Sequence, residues 1–137
     1  MITLCLEKGD EKMSGKKILI VDDDADLLKA LYLRLKANNY HTVFAQDGYQ
    51  ATKMVLTEKP DLIILDIGLP MGDGFIVMDR IKEFIKTSMT PVIVLTGRDP
   101  EANKPRALQA GAVAFFQKPV DNDELLTCIA RELGESK

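Results

Sequence analysis

From Lys17 onward, short apolar runs alternate with amphipathic stretches of helix length, a pattern that predicts βα repeats and a parallel sheet. Ile18-Leu19-Ile20-Val21 is apolar on both faces, as a strand buried in such a sheet must be. Asp24 then stands at an N-cap position, and Leu27, Leu28, Leu31 and Leu35 share one face of the helix that follows. Asn38-Asn39 ends that helix, because asparagine tolerates the left-handed conformation. Tyr40–Ala45 reads as the second strand, Asp47-Gly48 as a turn, and a helix runs from there towards Lys59 before Pro60 stops it. Leu62–Leu65 is apolar throughout and therefore central. After the loop between Gly68 and Gly74, Phe75, Met78, Ile81 and Ile85 recur at helical spacing, and Val92–Leu95 forms the fourth strand. A fourth helical region ends at Gly111, and Val113–Gln117 makes the fifth strand. Asp121 or Asn122 caps a last helix carrying Leu125, Leu126, Ile129 and Leu133. The count is (βα)5, an α/β fold with a parallel five-stranded sheet.

Composition narrows the class. At 137 residues the chain suits one domain, and 46% hydrophobic content supplies a core without disulfides or a structural metal. Eighteen basic against 21 acidic residues leave a net charge of −3, which argues against direct nucleic-acid binding by this domain. Cys5 and Cys128 form no C-x-x-C pair and read as reduced thiols of a cytoplasmic protein. Ile2–Leu6 is too short for a signal core, and no run of apolar residues is long enough to span a bilayer, so no membrane association is expected. Residues 1–15 read as a flexible polar lead-in, with Met13-Ser14-Gly15 as an alternative start, and residues 16–137 as the domain.

In an open parallel sheet, ligands bind beyond the carboxyl ends of the strands, where strand order reverses. Those ends carry Asp22-Asp23-Asp24, Asp66, Thr96-Gly97 and Lys118-Pro119. Singly, Asp24 is a helix cap and Lys118 a solvated lysine; together they bring carboxylates, a hydroxyl and an ammonium to one edge. Carboxylates so crowded repel unless a cation sits among them, and oxygen donors without a nearby His or Cys favour Mg²⁺. Lysine and threonine suit the far side of a bound phosphoryl group, and Asp66, the central carboxylate, suits an aspartyl-phosphate nucleophile.

With these residues in place, the chain resembles the response-regulator receiver domains phosphorylated by two-component histidine kinases. The likeness runs from about Lys16 to Leu133. It rests on Val21-Asp22-Asp23, Leu65-Asp66 with Leu69-Pro70 and Asp73-Gly74-Phe75, Leu95-Thr96-Gly97, and Ala110-Gly111-Ala112 leading to Lys118-Pro119. The resemblance implies a doubly wound, flavodoxin-like sheet in the order 2-1-3-4-5. It implies that Asp66 is the phosphoacceptor, that Asp23, Asp66 and the Gly68 carbonyl ligate Mg²⁺, and that Asp22 acts mainly through water. Thr96 and Lys118 would hold phosphoryl oxygens, and Lys118-Pro119 is a candidate cis bond. Partners would be a sensor histidine kinase or phosphotransfer protein, and a downstream target protein or output domain. The protein would catalyse only its own phosphorylation and dephosphorylation. Its output would lie elsewhere, in a separate target or in the rest of a longer protein.

Several positions depart from the pattern. Phe115, three residues before Lys118, stands where many relatives have tyrosine, so a Thr96–Phe115 switch would rest on packing alone. Phe116 reads as plain core. Pro105 lies where the fourth helix should be under way. It predicts a short helix with Pro105 near its first turn, after a long mobile loop from Arg98 to Lys104. A helix with Pro100 at N1 and a kink at Pro105 is the second reading. The region belongs to the face of fourth helix, fifth strand and fifth helix through which relatives meet partners. Gly68 leaves Arg98 to dominate control of hydrolysis. Gly68 also stands where phosphatases of the haloacid-dehalogenase type need a second aspartate.

Other chemistries lack residues. His41, the sole histidine, lies at a strand edge and is expected on the surface. Neither G-x-x-x-x-G-K-[ST] nor G-x-G-x-x-G occurs, and three aspartates after the first strand would repel an FMN phosphate. The alternative from a different class is a constitutive interaction module that phosphorylation does not regulate.

Overall fold

The computed structural model describes residues 15–69, 74–85 and 89–135, without the side chain of residue 85. The lead-in before Gly15, with Cys5, and also Pro70 and Asp73 of the loop lie outside the described residues. Among the described residues, five strands, β1 (Lys17–Val21), β2 (His41–Ala45), β3 (Leu62–Leu65), β4 (Val92–Thr96) and β5 (Ala114–Gln117), alternate with five helices. The helices are α1 (Ala25–Ala37), α2 (Gly48–Glu58), α3 (Gly74–Ile85), α4 (Pro100–Gln109) and α5 (Asn122–Glu132). All strand pairs are parallel and the sheet order is β2-β1-β3-β4-β5, as expected.

Alternation along the strands divides the core into two layers. Leu19, Val21, Ile63, Leu65, Val92 and Val94 face α2, α3 and α4, meeting Val55, Phe75, Met78, Ile81 and Ala107. Ile18, Ile20, Leu62, Ile64, Ile93 and Leu95 face α1 and α5, meeting Leu28, Leu31, Leu35, Leu125 and Ile129. Full burial of each such Ile or Leu contributes roughly 1.5–3 kcal/mol, and in the three central strands β1, β3 and β4 the residues Ile18–Val21, Leu62–Leu65 and Val92–Leu95 are all buried. Phe115 packs on the first layer and Phe116 on the second. His41 is exposed.

Helix ends follow local chemistry. Asp24 caps α1 by accepting from the Asp26 and Leu27 amides, and Asp121 caps α5 through the Asp123 and Glu124 amides. Asn39, with φ 70°, turns the chain after α1. Asp47 is itself the cap of α2, accepting from the Gln50 amide at 2.8 Å.

The expected short fourth helix and loop over 98–104 are not what forms. Helix α4 starts at Pro100, with Asp99 as N-cap accepting from the Ala102 amide at 3.3 Å, and runs through Pro105. The sequence favours this start because proline at N1 gives up an N–H that has no helical partner anyway. Asp99 adds both a cap and a charge suited to a helix N-terminus. Pro105 can make no backbone bond to the Glu101 carbonyl, but both residues are exposed, so that acceptor is open to solvent.

Candidate functional site

Strand register assembles the site. Val21 pairs with Leu65, so Asp22 and Asp66 emerge side by side from the carboxyl ends of β1 and β3. Their backbones are held too: the Asp66 amide donates to the Val21 carbonyl at 2.9 Å and the Asp22 amide to Ala45 at 3.0 Å. On the other flank Thr96 pairs with Gln117, and the Lys118 amide donates to the Thr96 carbonyl at 2.8 Å. The cis Lys118–Pro119 bond follows.

Lys118 Nζ lies 2.8 Å from Asp22 Oδ2 and 3.1 Å from Asp66 Oδ2, bridging two carboxylates that are 2% and 7% exposed. Their remaining oxygens accept backbone amides, Asp22 Oδ1 from Asp24 at 2.9 Å and Asp66 Oδ1 from Gly68 at 2.7 Å. Asp23 is exposed, yet one oxygen from each of Asp22, Asp23 and Asp66 lies within 4.8 Å of the others. Asp24 is spent on its cap.

Burial raises the Asp22 carboxyl above its ordinary range, although the Lys118 ammonium and the Asp24 amide pull the other way. Burial also works to lower Lys118, but hydrogen bonds from its ammonium to Asp22 and Asp66 outweigh it and raise that pKa. Lys118 therefore stays charged at neutral pH. One ammonium among three carboxylates leaves the cluster with excess negative charge. An all-oxygen donor set of this kind fits a hard divalent cation such as Mg²⁺.

Thr96 is fully buried, and its Oγ1 accepts the Arg98 amide at 3.3 Å. Val94 belongs to the first core layer, so Thr96, two residues on, faces the same side of the sheet, the side on which Phe115 packs. A Cβ placed on Gly68 would lie 3.3 Å from Arg98 Nε, 3.3 Å from Asp66 Oδ1 and 3.7 Å from Thr96 Oγ1. Arg98 thus leans across the rim between Asp66 and Thr96. Asp22, Asp23, Asp66, Gly68, Thr96 and Lys118, expected from the sequence to meet, are brought together, and Phe115 stands beside them on β5.

Known proteins are similar to this chain in sequence and fold. The family model for the response regulator receiver domain matches residues 18–130. The chain belongs to the response-regulator receiver family. It is 38% identical over 111 residues to the alkaline phosphatase synthesis transcriptional regulatory protein PhoP of Bacillus subtilis, covering 81% of this chain and 45% of that protein. The chain therefore spans less than half the length of that relative. A CheY-like response regulator receiver domain protein from Methanospirillum hungatei superposes with a TM-score of 0.82 at 30% identity, covering 88% of this chain and 95% of the other. The receiver domain of a sensor histidine kinase from Pseudomonas aeruginosa, solved with a magnesium ion coordinated in its active-site cleft, gives a TM-score of 0.79 at 27% identity, covering 89% and 100%. Receiver domains are signalling domains of two-component systems and not enzymes in the usual sense. Among the described residues no helix is long and apolar enough to cross a membrane.

Two contacts had no sequence signal. The Arg106 guanidinium stacks on the Phe75 ring, and Tyr40 Oη donates to Glu135 Oε1 at 2.7 Å. Both join residues from separate repeats, where periodicity is silent.

Proposed function

We propose that this receiver domain is a phosphorylation-activated switch in which Asp66 accepts a phosphoryl group from the histidine of a sensor kinase or phosphotransfer protein. A carboxylate oxygen of Asp66 attacks phosphorus, the P–N bond breaks, and the imidazole leaves with the bonding electron pair. Asp23, Asp66 and the Gly68 carbonyl would hold Mg²⁺, with Asp22 acting mainly through water. The ion, when bound, supplies charge neutralisation for the incoming group. Lys118, already oriented by Asp22 and Asp66, is placed to exchange a carboxylate for a phosphoryl oxygen. Thr96 supplies a hydroxyl donor on the opposite flank. Arg98, over Gly68, governs the approach of hydrolytic water.

Phosphorylation adds charge and acceptor oxygens, drawing Thr96 in and opening space for Phe115. The α4-β5-α5 face then changes for a target protein or output domain. A half-open pocket of about 550 Å³ beside the site is lined by Leu27, Leu31, Pro119 and Val120 together with Asp24, Arg34, Lys118 and Asn122. The domain would work in the cytoplasm, as residues 16–137 behind a separate lead-in.

The observation that carries this reading is the bridging of two buried carboxylates by Lys118 within a three-carboxylate cluster. The test is intact mass after treatment with acetyl phosphate and Mg²⁺. Wild type should gain one phosphoryl group, Asp66→Asn none, and chelation of Mg²⁺ should abolish the gain. An unmodified wild type would favour a constitutive interaction module.

A further inference from the structure

Phe75 opens α3 with its ring 4% exposed, and the Arg106 guanidinium carbon lies 3.9 Å from the ring centroid. At that distance the planar cation lies against the ring face in van der Waals contact, with the ring quadrupole attracting the charge. The preceding residue, Gly74, makes a second close approach. A Cβ there would run into the Cα, carbonyl carbon and oxygen of Ile67, so the two backbones press together. Ile67 directly follows Asp66. Contact therefore passes without a gap from Asp66 through Ile67, Gly74 and Phe75 to Arg106 on α4.

We propose that this is a second route by which the state of Asp66 reaches α4, separate from Thr96 and Phe115, with Arg106 as its positioning residue. The proposal rests on Asp66 being the phosphoacceptor. The build of α4 favours it. Ala107 is the fully buried side chain of that helix, so little other packing competes with the Arg106 stack. Pro105 immediately precedes Arg106 and removes the backbone bond to Glu101, which loosens the capped first turn from the half that carries the guanidinium. A shift of the Phe75 ring is thus passed to a helix that is weakly held and already weakened at its middle.

The experiment is backbone hydrogen exchange of residues 102–109 in wild type, Arg106→Leu, Phe75→Leu and the double variant, with and without beryllofluoride and Mg²⁺. Phosphorylation by acetyl phosphate is read in parallel by mass. Wild type should show a change of protection in α4 on adding beryllofluoride. Arg106→Leu should reduce that change roughly 2- to 5-fold, the range expected of a partly exposed cation–π contact. Phe75→Leu should match it, and the double variant should go no further than either single change, as two partners in one contact require. Arg106→Lys, which keeps the charge but not the plane, should fall between and guards against a folding defect. All variants should still be phosphorylated. Undiminished response in Arg106→Leu, or additive effects in the double variant, would overturn the route while leaving the phosphoacceptor reading intact. Failure of wild type to be phosphorylated would overturn that reading, and the route with it.

Discussion

A side chain on Gly68 would have to share space with Arg98, because its Cβ would sit 3.3 Å from both Arg98 Nε and Asp66 Oδ1. The glycine therefore matters through the room it leaves, and the guanidinium takes that room. On the proposed role of Asp66, a group above its carboxylate restricts water approaching a phosphoryl group carried there. Arg98→Ala should shorten the phospho-Asp66 lifetime several-fold with phosphorylation still complete, measured by the decay of the phosphorylated mass. An unchanged lifetime would remove Arg98 from any role in hydrolysis. Lys118 differs in kind: it offsets two buried carboxylates at once, so its loss would leave both unpaired in a region of low dielectric.

Among the elements, α4 is where local rules compete. Proline in a helix interior costs about 3 kcal/mol relative to alanine, which favours starting the helix late. Against that stand the Asp99 cap, Pro100 at N1, burial of Ala107 and the Arg106–Phe75 stack, and these win. The helix consequently runs from Pro100 to Gln109 in spite of the backbone bond missing at Pro105. Pro105 remains a local cost on an exposed face. Pro105→Ala should stabilise the domain by about 1–2 kcal/mol, less than the full propensity difference because alanine also loosens the unfolded chain. Urea denaturation gives the value; no gain would mean that the Glu101 carbonyl and the helix are already relaxed around the proline.

At the scale of the whole molecule, the last turn of the chain is tied back to the far edge of the sheet. Gly134, with φ 75°, lets the Glu135 amide reach the Ala130 carbonyl at 2.7 Å, and the Glu135 carboxylate accepts the phenol of buried Tyr40, 95 residues earlier. Burial first, and then the bond to Glu135, raise the Tyr40 pKa well above its ordinary value of 10.0. A raised phenol pKa means that the folded state holds its proton more tightly than the unfolded one. The associated stability is complete below pH 10 and declines as pH climbs from there towards the folded-state value. Tyr40→Phe should cost about 1.5–3 kcal/mol at pH 7 for the lost bond to the Glu135 carboxyl group. It should also flatten the fall of stability above pH 10, read from melting temperatures between pH 7 and 11. An equally steep alkaline decline in the variant would show that Tyr40 is not its source.

The order of strands and helices, the strand ends bearing Asp22, Asp66, Thr96 and Lys118, and the caps Asp24 and Asp121 were legible from sequence because each depends on residues close along the chain. Periodicity marks a buried strand, a cap needs only its own first turn, and a parallel α/β sheet sends its strand ends to one edge. Where several weak terms of opposite sign met, as around Pro105, the balance was struck by contacts from other repeats. The Arg106 stack on Phe75 and the Tyr40–Glu135 bond are of this kind. Such contacts are selected by the packing of one repeat on another, and only the assembled tertiary structure decides them.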